Sequence, residues 1–152
     1  MTDPIAFSST TPRFSLPLLF SGQAQKEVFV NESLARTDAL LHCTVKGVAS
    51  APPEAMQEGD SWVVASDASG DFAGQDDAIA CFQQGSWVFI SPCEGMRIFN
   101  LATASDMLFF ENWQKPATPQ EPLGGSVVDG EARAAINALI SALQALGVLP
   151  SV

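Results

Sequence analysis

Basic residues are scarce in this chain. Seven lysines and arginines face seventeen acidic residues, a net charge of −10. Affinity for a polyanion comes mainly from cationic side chains displacing counterions, so this balance argues against nucleic-acid binding. Charged residues of both signs make up only 16% of the chain, below the usual level of about a quarter. A surface so sparsely charged fits coverage by another subunit. Histidine occurs once, as His42, so any Ser–His–Asp triad would depend on it, and no serine stands in a Gly-x-Ser-x-Gly setting. Cys43, Cys81 and Cys93 are odd in number and widely spaced, which suits neither a disulfide framework nor a zinc site. They read as small buried hydrophobes in a reducing compartment. No glycine-rich loop has phosphate-cradle spacing, and no cofactor is expected. No apolar run reaches the roughly 20 residues that cross a bilayer, so no membrane insertion is expected. The start, "MTDPIAFSSTTPRF", has neither the basic head nor the apolar core of a secretory signal, which points to synthesis in the cytoplasm.

What is present predicts an α+β fold: an N-terminal helical segment, a small antiparallel β-meander or sandwich, a Pro-rich linker and a C-terminal amphipathic helix. Residues 1–12 read as a flexible arm. Residues 13–113 read as the helix plus antiparallel β domain, 114–126 as a Pro/Gly linker, and 127–148 as a docking or oligomerisation helix. In "RFSLPLLFSG", Phe14, Leu16 and Leu18 are too apolar to stay in water, and Pro17 keeps the segment extended. Gln23 to Phe29 has good helix formers, and Asn31 is placed to cap a second helical stretch to about His42. From Cys43 the hydrophobic period becomes two. Strands are predicted over 59–66, 78–82, 86–91, 95–102 and 106–113, with "QQG" as a hairpin turn. "SWVFIS" is apolar on both faces, so one face is expected to meet the helices or another chain. At the C-terminus, Asp129 is a candidate cap and Gly147 a stop. Between them Ala132, Ile136, Leu139, Ile140, Leu143 and Leu146 form a stripe at three- and four-residue steps. Phe14, Leu16, Leu18, Ile136, Ile140 and Leu143 are the candidate interface residues.

Candidate chemistry is thin. "GQAQKEVFVNESL" concentrates polar groups at 22–34, but Glu27 and Glu32 diverge by roughly 140° on a helix, whereas acid–base pairs must converge. The segment reads as helix-capping structure. A hydrolase would have to use Glu27, Asp60 or the Asp67–Asp77 loop. In "DASGDFAGQDD", Asp67, Ser69 and Asp71 occupy calcium-loop positions, but Phe72 and Ala78 stand where Gly and Glu are needed, so no metal is expected. Trp62, Trp87 and Trp113 lie on or at the ends of predicted strands. They read as core aromatics, with sugar stacking on an exposed platform as the alternative.

The stretch "LPLLFSGQAQKEVFVNESLARTDAL" carries a resemblance. Leu16-Pro17-Leu18, Gly22 to Glu27, Asn31-Glu32-Ser33-Leu34 and Asp38-Ala39-Leu40 resemble the N-terminal signature of an uncharacterised domain in tail-fibre and spike proteins of bacteriophages and gene transfer agents. "APPEAMQEGDSWVV", "GDFAGQDDAIACFQQGSWVFISPCEGM" and the C-terminal helix resemble its later parts. Ser33 replaces the usual Ala, and Phe72 stands where Trp is common. The resemblance implies a non-enzymatic virion component, the base or adaptor of a head spike or fibre that helps a phage-like particle attach to the host surface. Its implied partners are further copies of itself, capsid or tail proteins, a fibre protein and cell-surface polysaccharide. A trimer and a pentamer are both open. The alternative is a carbohydrate-binding module for host capsular polysaccharide.

Overall fold

Helix α1 spans Lys26–Leu40 without interruption. It contains no Gly or Pro, so nothing breaks it at Asn31. Asn31 is therefore an exposed mid-helix residue, not the cap of a second helix. The chain turns into α1 through Gln25 and out of it through His42, both with positive φ. The computed structural model describes residues 16–19, 22, 24–121 and 129–150. Phe14, Gln23, the 1–12 arm and most of the second half of the linker lie outside the described residues.

Eight strands follow: β1 (Thr44–Val45), β2 (Val48–Ala49), β3 (Ser61–Val64), β4 (Ile79–Gln83), β5 (Ser86–Ile90), β6 (Arg97–Asn100), β7 (Ser105–Phe110) and β8 (Asn112–Gln114). They form two four-stranded sheets, ordered β1-β6-β7-β8 and β2-β3-β4-β5. With two flanking helices this is the α+β class. The pairing is not wholly antiparallel, because β1 pairs β6 in parallel and β2 pairs β3 in parallel. Two residues, Lys46 and Gly47, carry the chain from one sheet to the other, a corner that lets two short strands knit both sheets together. The β4–β5 hairpin closes through Gln84 and Gly85, both with positive φ as a type I′ turn requires.

The main core lies between the sheets, where Val63, Ile79 and Ile90 meet Val45, Ile98 and Met107. The C-terminal end of α1 seals it with Ala39 and Leu40. A second cluster of Val64, Phe72 and Ala80, joined by Trp87 and Phe89, sits on the other face of the β2–β5 sheet. That face is covered by the chain's own 65–78 loop, whose Phe72 is fully buried. A partner chain is therefore not what covers the second apolar face of "SWVFIS".

Helix α2 spans Gly130–Ala145. The Asp129 carboxylate accepts the Ala132 amide at 2.9 Å, the expected cap. Gly147, at φ +70°, ends the helix: its amide donates to Gln144 O and the Val148 amide to Leu143 O, a Schellman motif. The segment after it docks on the β1-β6-β7-β8 sheet. The Gly147 carbonyl accepts the Asp106 amide at 2.7 Å, Leu149 is buried, and the Pro150 carbonyl accepts from Thr118 Oγ1 and Gln144 Nε2.

Candidate functional site

The polar segment at 22–34 does not cap α1 as expected: Gln25 holds the N-cap position at positive φ with no side-chain hydrogen bond. Glu32 pairs with Arg36 at 3.1 Å along the helix. Ser33 Oγ donates to the Pro17 carbonyl at 2.8 Å and so ties residues 16–19 to α1. A groove of about 610 Å³ runs between α1 and the β4–β5 hairpin, lined by Asn31, Leu34, Asp38, Glu58, Gln83 and Gln84. Its best-placed groups are already engaged. Both Glu58 oxygens accept turn amides, from Gln84 at 2.6 Å and Gly85 at 3.1 Å. Gln83 Nε2 donates to the Ala35 carbonyl at 3.2 Å. The Gln83 bond braces the hairpin against the helix, and the Glu58 bonds tie its turn to the loop before β3.

Of the other candidate carboxylates, Asp60 is spent locally. Asp60 pairs with Lys46 at 3.2 Å and accepts the Gln57 amide at 3.1 Å. The Asp67–Asp77 loop is folded inwards, pinned by the Ser69 amide on Ser50 O and the Asp77 amide on Val64 O. What it delivers is Phe72, flanked by Gly70 and Gly74 at positive φ. That plug is not evident from the calcium-loop spacing of this stretch. The available signal was a lone aromatic between two glycines, with apolar strand faces nearby. Among the described residues, no group of three or more His, Cys, Asp or Glu side chains is placed to hold a metal ion.

The three tryptophans are not brought together on an open surface. Trp62 meets Trp87 edge-to-face at 5.7 Å, and Trp87 also meets Phe72 at 4.9 Å and Phe82 at 5.1 Å. Trp113 lies on the other sheet, stacks edge-on against Phe109 and donates Nε1–H to the Asp77 carbonyl at 2.8 Å. Trp62 and Trp113 are each only 9% exposed. Trp62 and Trp113 thus pack into the core on different sheets, as the core reading expected, while Trp87 is half-buried, and the three rings do not share one platform.

The thiols are poor nucleophiles. Cys43 is pushed up to about 11 by burial and, secondarily, by nearby Cys81. Burial likewise raises Cys81, against hydrogen bonds from Ser61 and Gln83 that favour the thiolate. Neither supplies appreciable thiolate at neutral pH.

The unsatisfied surface lies on the helices. Neither α1 nor α2 contains a buried residue. On α1, Val28 and Leu34 are exposed, Leu34 by 61%. On α2, Ile136 is 44%, Leu139 60% and the adjoining Leu146 75% exposed, while Ile140 and Leu143 are half-buried. Leu16 and Leu18 are half-buried beside α1. Of the six predicted interface residues, Phe14 lies outside the described residues, and the other five retain accessible surface.

A search of the curated proteins finds no match to this chain. A family model does match, over residues 30–114. That span runs from within α1 to the end of β8 and takes in all eight strands, leaving α2 outside. Since the match covers more than half of the chain, the protein belongs to the family described as "protein of unknown function", DUF2793.

Proposed function

We propose that this chain is a structural adaptor of a phage-like particle, the base of a head spike or fibre that assists attachment to the host surface. One observation carries the reading: a well-packed β module holds two helices whose residues are at most half-buried, with Leu34, Ile136 and Leu139 exposed. Helices of this length draw most of their stability from tertiary packing. Here that packing is left for other chains to supply. Two further points support the reading. Asp60, a carboxylate flagged as candidate chemistry, is engaged with Lys46 and the Gln57 amide. The Leu-Pro-Leu and Gly-Gln-Ala-Gln-Lys-Glu stretches resemble the signature seen in spike and tail-fibre proteins. The net charge of −10 disfavours nucleic acid as the partner. No described helix is long and apolar enough to cross a membrane. The partners expected on this reading are further copies of the chain, capsid or tail proteins and a fibre protein.

The test is particle association. Particles purified on a density gradient from the producing cells should contain this chain by mass spectrometry, with antibody label at discrete positions on head or tail. Recovery of the chain only from the particle-free soluble fraction would remove the proposal.

A further inference from the structure

We infer that α2 pairs with α2 of further copies of this same chain, through a heptad seam of Ile136, Leu139, Leu143 and Leu146. This rests on the adaptor reading and deepens it by naming the partner of one surface. The spacing comes first. From Ala132 the steps to these residues are four, three, four and three, a repeat of 3.5. That period keeps a stripe facing a supercoiled partner helix instead of drifting by about 20° per heptad. Ile136, Leu139 and Leu146 are exposed on this chain, so the seam is open.

Charge selects the occupant. Helix α2 carries one acid, Glu131, and one base, Arg133, so the net charge of −10 lies wholly outside it. Elsewhere two copies repel; here they meet without that cost. Pairing with a different helix is ordinarily selected by opposite charges flanking the seam. The flanking positions here are Arg133, Ala135, Ile140 and Ala142, which offer a charged partner almost nothing and allow close approach of a like helix. The mounting is consistent with this. The chain is gripped just past the end of α2, at Gly147 and Leu149, while Ile136 and Leu139 on the helix body stay exposed. Two heptads are short for a coiled coil that must hold alone, so the association is reversible.

Sedimentation velocity of the full chain, from low-micromolar to millimolar concentration, tests this with three variants. The wild type should show a concentration-dependent oligomer. Leu139→Glu and Leu146→Glu should each lose the oligomer boundary while keeping the wild-type near-UV circular dichroism. Leu34→Glu, on α1, should leave the boundary in place. Both seam positions are solvent-exposed, so a folded variant is expected in each case, and two positions guard against one failing. An oligomer that persists unchanged in both seam variants overturns the α2 pairing but leaves the adaptor reading standing on other surfaces. A wild type that is monomeric throughout overturns the pairing and weakens the adaptor reading with it.

Discussion

Replacing Phe72 by alanine removes the plug that the 65–78 loop drives into the aromatic face of the β2–β5 sheet. Phe72 is fully buried and meets Trp87 at 4.9 Å and Phe89 at 6.0 Å, both edge-to-face. Truncating a buried Phe costs about 3–5 kcal/mol through lost transfer energy and the cavity left behind. Each aromatic contact accounts for roughly 0.5–1.5 kcal/mol beyond area. A domain of this size has a total stability on the order of 10 kcal/mol, so the loss is a third or more of the whole. At roughly 2–4 °C per kcal/mol for a chain of this length, Tm should fall by about 6–20 °C. Urea unfolding followed by tryptophan fluorescence measures the free energy. Near-UV circular dichroism reads the loosening of Trp62 and Trp87 directly. Phe72→Leu should recover more than half of the loss, because it refills most of the volume. A Phe72→Ala loss below about 1 kcal/mol, the range of ordinary surface changes, with an unaltered near-UV spectrum would show that something else covers this face.

Gly147→Val combines a left-handed backbone with a Cβ that would lie 2.7 Å from Phe99 Cε2. It should free the C-terminal segment at a cost of about 1–3 kcal/mol, seen as faster hydrogen exchange at the Asp106 amide. Glu58→Ala strips two acceptors from the β4–β5 turn and should cost about 1 kcal/mol, read from the urea midpoint and from exchange at the Gly85 amide. For Cys43 the folded-state value is raised to about 11 from 9.0 because burial penalises the thiolate. The stability contributed by the neutral buried thiol is thus fully present below pH 9, and it is lost as pH rises through 11. Urea midpoints across that window should fall, and Cys43→Ala should flatten the fall.

Much of the local structure was legible in the residues. "QQG" announced the hairpin, Asp129 and Gly147 bounded α2, and β6 and β7 were read as strands, though the predicted 106–113 strand breaks at Glu111 (φ 61) into β7 and β8. Each depends on turn or cap chemistry that acts within a few residues. The period of two from Cys43 marked the β1–β2 stretch as β-like, but not its parallel pairing. The two strands are two residues long, and their partners are distant in the chain at Phe99–Asn100 and Val63–Val64, so no local pattern specifies the pairing. Asn31 misled because a good cap residue also tolerates an exposed mid-helix position when no breaker is near. Phe72 was hidden by its polar neighbours, and its burial is a tertiary event. The candidate site was legible in part. The α2 stripe could be read from spacing, and the tryptophans' core role from composition. That Glu58 and Gln83 brace the hairpin depends on a turn and a helix that only the fold brings together.

If the helices complete their packing on other chains, hydrogen exchange followed by mass spectrometry will separate the dilute isolated chain from assembled particles. The α1 and α2 amides should exchange far faster than β4 amides in the isolated chain and become protected on assembly. Helix amides as protected as those of β4 in the isolated monomer, with no change on particles, would contradict that packing.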